Sequence, residues 1–152
     1  MDPDEFIAWL APAASSVCPA YRLPVSVCVA QAALESGWGK YRIGNYNLFG
    51  RKYNGSGSYI EEVTEEYING EWLTVTAKFQ DYASLGEAVE DWCILITQEP
   101  VYAVCLEFLD NVEQFVHTLA PVYATDPNYA DKILATISAN NLTQYDGRQP
   151  PN

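Results

Sequence analysis

Two stretches near the N-terminus carry apolar residues at helical spacing. The first has Asp2 as a candidate N-cap and Pro3 in its first turn, which is an ordinary start for a helix. Its apolar stripe consists of Phe6, Trp9, Leu10, Ala13 and Val17. The second stretch, from Pro24 to Ser36, is apolar nearly all round and is followed by Gly37 and Gly39. We therefore expect an amphipathic helix and then a helix that is buried on most sides.

A period of two replaces the helical period over residues 59–82. Its apolar positions flank Asn69-Gly70, the strongest short signal for a two-residue hairpin loop. Helical spacing resumes after Ser84, which together with Glu87 has the spacing of a capping box. The pattern therefore predicts a β-hairpin between helices.

Two further helices follow towards the C-terminus. One begins after Asn111, and the last begins at Asp126 and stops at Asn140. The predicted fold is mainly α (α+β), a helical domain with one β-hairpin. A length of 152 residues suits a single domain. We assign residues 1–145 to it and expect residues 146–152 to form a flexible C-terminal tail.

The register of the hairpin decides where its central glutamates point. Counting back from a two-residue loop places Glu66 opposite Leu73. Because side chains alternate between faces, Glu66 shares a face with apolar residues, whereas Glu65 points the other way with Thr74. Glu66 is therefore expected to face inward, where a cleft is the simplest reason for a carboxylate on an apolar face. A glutamate at an exposed strand edge is the alternative.

Composition and charge exclude several classes of partner. The chain has 8 Lys and Arg against 20 Asp and Glu, a formal net charge of −12, and no basic stretch, so nucleic acid is not an expected partner. Its apolar fraction of 49% is too high for a disordered chain. No apolar run approaches the ~20 residues of a membrane span, and the first residues lack the features of a signal peptide. We expect a globular domain that does not enter a membrane.

Four cysteines are spread along the chain: Cys18, Cys28, Cys93 and Cys105. They show no CxxC spacing, and the single histidine, His117, does not complete a metal site with them. We expect buried free thiols on helices, and no metal or other cofactor. A disulfide between Cys18 and Cys28 is an alternative that the sequence leaves open.

Glu35 lies in the last turn of the apolar helix. Partial desolvation and the negative end of the helix dipole would both raise the pKa of its carboxyl. A carboxyl that stays protonated near neutral pH suits a general acid in glycoside cleavage, because the leaving oxygen must take up a proton as its bond breaks. An ordinary surface glutamate is the alternative, and position alone favours it.

Five segments resemble, in the same order, segments of glycoside hydrolase family 73. Residues 30–40 read AQAALESGWGK and resemble the family's AQAALESGWG signature, and residues 47–50 resemble the start of its NLFGIK segment. Residues 64–70 are similar to the family's TxEYxNG, and the likeness continues through residues 79–82 and 123–133. Five such segments in order make a chance resemblance improbable.

The resemblance implies a lysozyme-like endo-beta-N-acetylglucosaminidase that needs no metal, with the hairpin bordering the active-site cleft. Such a domain hydrolyses the β-1,4 bond from N-acetylglucosamine to N-acetylmuramic acid in bacterial peptidoglycan. By position, Glu35 matches the family's catalytic acid, Glu66 its second carboxylate and Tyr129 a tyrosine of the cleft. The family reads FRxY where this chain has Gln80, so one local contact is expected to differ. The residues expected to bind substrate are Trp38, Asn47, Phe49 and Tyr123.

Peptidoglycan glycan strands are then the expected partner of a monomeric enzyme. The net charge of −12 is a mild objection, since it would repel an anionic wall at low salt, although a neutral glycan strand would feel it less. A muramidase or lytic transglycosylase of the same fold is an alternative, and so is a catalytically silent glycan-binding or wall-assembly module. The two carboxylates argue against the silent module. Without a signal peptide, action on the wall would require another route out of the cytoplasm, such as release of a phage endolysin by a holin.

Overall fold

The computed structural model describes residues 1–147, which form a mainly α-helical domain with one β-hairpin. The fold class predicted from the sequence is confirmed. Within residues 1–147, none of the helices combines the length and the hydrophobicity that a bilayer span requires. The helices are α1 (Pro3–Val17), α2 (Val25–Ser36), α3 (Leu85–Gln98), α4 (Val112–Tyr123) and α5 (Tyr129–Ala139), and the strands are β1 (Tyr59–Ile68) and β2 (Glu71–Gln80). Short 3₁₀ helices cover Cys18–Tyr21, Pro100–Phe108 and Leu142–Tyr145.

Helix α2 runs through the core and contacts both α1 and α5. Ten of its twelve residues are buried, and most of them are valine or alanine. The two that are not fully buried, Leu34 and Glu35, lie in its last turn. The helix ends at Gly37, whose φ of +56° lies in the left-handed region that glycine adopts most easily. The predicted bounds hold to within one residue, because Pro24 is the N-cap.

Helix α1 packs on α2 and α3 through a stripe that overlaps the predicted one only in part. Trp9, Ala13 and Val17 were expected on the buried side, but they are half-buried. The predicted and observed stripes both have helical spacing, so the pattern alone could not decide which one faces the core. The buried residues are Phe6, Ile7, Leu10, Ala11 and Ala14.

The hairpin has the predicted register, with Glu66 opposite Leu73. Its loop residues Asn69 and Gly70 have φ values of +51° and +82°. Positive φ at both central residues is what a two-residue type I′ loop requires. The loop therefore sets which residues share each face of the hairpin.

The hairpin is attached to the helical body at its base. Along β2 only Phe79 and Gln80 are buried, and β1 has no fully buried residue. The backbone N–H of Gln80 donates to the carbonyl of Arg51 at 3.0 Å, which ties β2 to the segment before the hairpin. A two-stranded sheet is marginal by itself, so this base stabilises it.

Two helix starts differ in detail from the predicted ones. Ser84 accepts from the Glu87 N–H at 3.2 Å, whereas the Glu87 carboxylate accepts at 2.7 Å from the N–H of the residue before Ser84 and so does not close a regular capping box. The last helix begins at Tyr129 rather than at Asp126. The side chain of Asp126 accepts from the Asn128 N–H at 2.9 Å, which forms a turn ahead of the helix.

All four cysteines are free and buried, as predicted. The alternative disulfide between Cys18 and Cys28 is not formed. The Cys18 sulfur lies 3.8 Å from that of Cys93, so the two thiols are in contact without a covalent bond. Burial raises the pKa of the Cys105 thiol, which disfavours a reactive thiolate there.

Asp146, which the sequence analysis assigned to the tail, is docked on the first turn of α2. Its Oδ1 accepts from the Ser26 N–H and its Oδ2 from the Ser26 hydroxyl, both at 2.7 Å. The N-cap Pro24 makes no side-chain hydrogen bond, so a carboxylate 120 positions after Ser26 satisfies a donor of this helix end. Asp146 therefore makes contacts within the folded domain. Residues 148–152 of the predicted tail lie outside the described residues.

Asp146→Ala should lower the free energy of unfolding by about 1–2 kcal/mol, because a helix N-terminus loses its capping carboxylate. Urea titration should show a lower midpoint with an unchanged slope. Asp110→Ala removes the same charge from an exposed position and is the matched control. Equal midpoints for the two variants would contradict a stabilising contact between Asp146 and α2.

Candidate active site

A cleft of about 310 Å³ opens beside the C-terminal end of α2. Its walls come from α2, α3, α4, the segment before the hairpin and the 3₁₀ helix Pro100–Phe108. We call it the Glu35 cleft. Its lining residues are Glu35, Phe49, Gly50, Arg51, Lys52, Leu95, Tyr102 and Tyr123.

A chain of hydrogen bonds crosses the core and ends at Glu35. The indole N–H of Trp92 donates to Gln31 Oε1 at 2.9 Å, and Gln31 Nε2 donates to the Tyr129 hydroxyl at 3.2 Å. That hydroxyl donates to Glu35 Oε1 at 3.3 Å. Because the Tyr129 oxygen accepts from Gln31, its own hydrogen is left for Glu35. Trp92 and Gln31 are fully buried, so these bonds satisfy polar groups that water cannot reach.

Two opposing effects act on the carboxyl of Glu35. Desolvation raises its pKa, the hydrogen bond from Tyr129 lowers it, and the net pKa is raised. The residue as a whole is still exposed, since it borders the open cleft. Tyr129 donates to Oε1, so a proton on Oε2 is compatible with this hydrogen bond. This arrangement suits a proton donor whose orientation is fixed by a hydrogen bond from a buried side chain.

Tyr123 separates the Glu35 cleft from a second pocket. Its ring is parallel to that of Tyr129, with centroids 5.9 Å apart and an interplanar angle of 4°. The second pocket, of about 500 Å³, lies between the end of α4 and the start of α5 and includes His117. It is larger, but the residues that line it do not include Glu35. We therefore take the Glu35 cleft as the candidate active site and the second pocket as a space beyond its Tyr123 wall.

Burial is the main cause that raises the pKa of both tyrosines above the ordinary value, well above it for Tyr123. The negative charge of Glu35 adds to the effect in each case. Both hydroxyls are therefore neutral at physiological pH. Of the two, Tyr123 lines the cleft, and the Tyr129 hydroxyl takes part in the hydrogen-bond chain that ends at Glu35.

Phe49, which the sequence analysis expected to bind substrate, lines the cleft. It is 5% exposed, and its ring stacks on Trp92 with centroids 6.2 Å apart and an interplanar angle of 18°. Its contact with a ligand can therefore involve only a small part of the ring. Most of the Phe49 ring packs against the core behind the cleft wall.

Asn47 does not lie in the cleft, so its predicted role in binding substrate is not supported. It is 1% exposed, and its Nδ2 donates to the carbonyls of Arg51 at 3.0 Å and Gln80 at 2.9 Å. Its Oδ1 accepts from the Arg51 N–H at 3.0 Å. With these three hydrogen bonds Asn47 binds the segment before the hairpin to the end of β2. It positions the cleft wall and is inaccessible to a sugar.

Trp38 is also directed towards the core. Its ring meets that of Phe6 edge to face, with centroids 5.6 Å apart and an interplanar angle of 85°. It is half-buried and is not among the residues that line the Glu35 cleft. A contact between Trp38 and a sugar stays a prediction, whereas its packing on α1 is observed.

Glu66 lies on the predicted face of the hairpin, but that face is not buried around it. Its side chain is 45% exposed, and Leu73 opposite it is 39% exposed. The expectation that Glu66 faces inward is wrong, because along the two strands only Phe79 and Gln80 at the base of the hairpin are buried. Glu65 points to the other face, where it accepts from the Thr74 hydroxyl at 2.8 Å, as predicted.

Lys52 connects Glu66 with the Glu35 cleft. Its ammonium lies 3.9 Å from Glu66 Oε1 and 4.7 Å from the ring centroid of Phe79. Lys52 also lines the cleft that contains Glu35. Lys52 therefore contacts Glu66 and also lines the cleft that contains Glu35, although Glu66 is not itself a lining residue.

The sequence analysis missed five lining residues: Gly50, Arg51, Lys52, Leu95 and Tyr102. A signal for Arg51 was present, since residues 47–52 read NLFGRK where the similar family segment reads NLFGIK. The charged Arg51 stands where the family segment has an apolar isoleucine, so this position differs from the family in its chemistry. Leu95 and Tyr102 carried no such signal, because leucine and tyrosine are common core residues in this chain.

Gln80, the position of the missing family arginine, has a structural role here. Its Oε1 accepts from the Asn54 N–H at 3.1 Å, and its Nε2 donates to the carbonyl of Ser56 at 2.9 Å. The side chain therefore ties the loop before β1 to the end of β2. The altered contact that the sequence predicted is at the base of the hairpin.

The chain is similar in sequence to known proteins. Residues 11–142 match the glucosaminidase family, described as mannosyl-glycoprotein endo-beta-N-acetylglucosaminidase. An autolysin from Enterococcus faecalis is 40% identical over an alignment that covers 95% of this chain and 21% of the autolysin. The peptidoglycan hydrolase FlgJ of Salmonella typhimurium is 39% identical, with 90% of this chain and 46% of FlgJ covered.

A solved structure supports the same relationship. The catalytic domain of the autolysin Auto from Listeria monocytogenes is similar with a TM-score of 0.82 and 35% identity, covering 94% of this chain and 86% of that domain. The chain spans about a fifth of the Enterococcus autolysin and about half of FlgJ. It matches a sequence family over most of its length and a catalytic domain in three dimensions. The chain therefore belongs to the glucosaminidase family.

Proposed function

We propose that this chain hydrolyses the β-1,4 bond between N-acetylglucosamine and N-acetylmuramic acid in peptidoglycan, and that Glu35 is its general acid. One observation carries the proposal: the Glu35 carboxyl has a raised pKa and is held through Oε1 by Tyr129 beside an open cleft. Family membership supports cleavage of a glycosidic bond. The names of the relatives support a bacterial wall as the place of action.

In the proposed reaction the glycan strand lies in the cleft with its scissile oxygen near Glu35 Oε2. Proton transfer from Oε2 makes the departing sugar a neutral alcohol while positive charge develops at the anomeric carbon. Tyr129 stays bound to Oε1 throughout, so the carboxyl cannot rotate its proton away from the substrate. The neutral Tyr123 offers a ring face and a hydroxyl to the sugar.

Glu66 supplies the second carboxylate of the proposed mechanism. It lies on an exposed hairpin, so its distance from Glu35 can change when substrate binds. We assign it to activation of water or stabilisation of the developing charge, and not to covalent attack. The 2-acetamido oxygen of the sugar is then free to assist at the anomeric carbon.

Analysis of the new reducing ends tests the bond that is cleaved. Mass spectrometry of reduced, digested peptidoglycan should show fragments that end in reduced N-acetylglucosamine. Fragments that end in reduced N-acetylmuramic acid would replace the proposal with a muramidase, and anhydro-muramic ends would replace it with a lytic transglycosylase. Absence of any cleavage would favour a glycan-binding module.

Glu35→Gln should lower the rate of wall lysis by ~10² or more, because the amide retains the volume but cannot donate the proton. The protein should stay folded. Since the pKa of Glu35 is raised in the folded state, its ionised form disfavours folding above that pKa, and the variant should melt no lower than the parent at pH 8. Near-normal lysis by a folded Glu35→Gln protein would remove Glu35 from the mechanism.

Tyr129→Phe should change both stability and the pH profile. It leaves Gln31 Nε2 without its buried acceptor, which should lower the free energy of unfolding by about 1–3 kcal/mol. It also removes the hydrogen bond that lowers the pKa of Glu35, so activity should fall at a higher pH than in the parent. Lysis rates between pH 5 and 9 and a urea titration measure the two effects. An unmoved pH profile with unchanged stability would contradict the hydrogen-bond chain.

Glu66→Gln should reduce the lysis rate less than Glu35→Gln, because a stabilising carboxylate is easier to replace than the proton donor. Glu65→Gln is the matched control, since Glu65 points to the other face and binds Thr74. It should leave the rate nearly unchanged. Trapping a glycosyl adduct on Glu66 would overturn this assignment. A lower lysis rate for the Glu65→Gln variant than for the Glu66→Gln variant would also overturn it.

A further inference from the structure

Two cations stand side by side in the wall of the Glu35 cleft. Arg51 and Lys52 both line it, although the whole chain has only 8 Lys and Arg against 20 Asp and Glu. A quarter of the positive side chains of a strongly acidic protein therefore face the same small cleft. We call these two residues the cationic pair.

The guanidinium of Arg51 is held in place by a hydrogen bond to a carboxylate. Its Nε donates to Asp91 Oδ2 at 3.0 Å, and the buried Tyr82 hydroxyl donates to the same oxygen. The contact with Asp91 uses one of the five N–H donors of a guanidinium, and the side chain is still 31% exposed. An arginine fixed at its Nε can present its terminal nitrogens in a defined orientation, which suits bidentate binding of a carboxylate.

The charge of Arg51 acts within the cleft. It lowers the pKa of the lining residues Tyr102 and Tyr123, against the larger effect of their burial. The pKa of Glu35, by contrast, is governed by desolvation and by Tyr129. The positive charge of Arg51 therefore acts on two residues that line the cleft.

Peptidoglycan offers an anion that fits this position. Each N-acetylmuramic acid carries a peptide on its lactyl group, and these peptides have free carboxylates, whereas the sugar rings themselves are neutral. A net charge of −12 disfavours approach to such a substrate, so positive groups inside the cleft compensate where the substrate must bind.

We infer that Arg51 and Lys52 form a subsite for a carboxylate of the peptide attached to N-acetylmuramic acid, so that the enzyme prefers peptide-bearing strands. The inference rests on the proposed function, since it assigns the substrate preference of the same cleft. Arg51 binds the carboxylate through its terminal nitrogens. Lys52, whose ammonium is 3.9 Å from Glu66, adds a second positive charge and joins the subsite to the hairpin.

The test uses soluble peptide-bearing glycan strands free of phosphate polymers, untreated or with their carboxylates converted to methylamides. The parent protein should cleave the untreated strands with a kcat/KM roughly tenfold higher, mainly through a lower KM, as expected for one charged hydrogen-bonded contact. Arg51→Gln should bring this ratio close to one, because it loses far more activity on the untreated strands than on the methylamides. Arg51→Lys should retain an intermediate ratio, because it keeps the charge and loses the planar fork.

Lys78→Gln is the matched control, because it removes the same charge from an exposed residue that contacts Tyr59. It should keep the parent ratio. Lys52→Gln, which leaves the Arg51–Asp91 contact intact, should also lower the ratio and covers the case in which Arg51→Gln fails to fold. A parent ratio near one, or equal losses on both substrates in the Arg51 and Lys52 variants, would overturn the subsite. Cleavage of neither substrate by the parent would instead overturn the proposed function.

Discussion

The side chain of Gln31 is the constraint on which the site depends. It lies in the middle of α2, fully buried among valine and alanine, where an amide without partners would be strongly destabilising. Its acceptor is satisfied by Trp92 from α3 and its donor by Tyr129 from α5. Three helices must therefore meet in one arrangement, and that arrangement aims the Tyr129 hydroxyl at Glu35. The packing of the core and the orientation of the acid are set by the same hydrogen bonds.

The two carboxylates of the proposed mechanism differ in how firmly they are held. Glu35 belongs to a helix with ten buried residues out of twelve, whereas Glu66 belongs to a hairpin attached only at its base. Asn47 and Gln80 anchor that base through hydrogen bonds to the main chain of neighbouring segments. In the proposed mechanism the acid is therefore held more firmly than the second carboxylate.

Much of the fold follows from local patterns. The bounds of α2 and the register of the hairpin are predictable, because a helix that is apolar all round and an Asn-Gly loop are each specified by residues close together in sequence. The stripe of α1 is less certain, since the predicted and observed stripes share Phe6 and Leu10 and differ in the side to which they extend. Only contact with α2 and α3 selects Ile7 for burial. The start of α5 shifts from Asp126 to Tyr129 because a side-chain turn competes with the first helical turn.

By itself the sequence determined the fold class, the position of Glu35 at the end of a buried helix and the faces of Glu65 and Glu66, because each depends on neighbours within a few residues. Resemblance of its motifs to a known family indicated the chemistry. Only the tertiary structure decided that Asn47 is buried, that Glu66 is exposed and that Arg51 enters the cleft. The same holds for Asp146, whose partner lies 120 positions away. These outcomes depend on which segments, far apart in sequence, come into contact in the folded chain. The pattern of residues along the sequence does not specify those contacts.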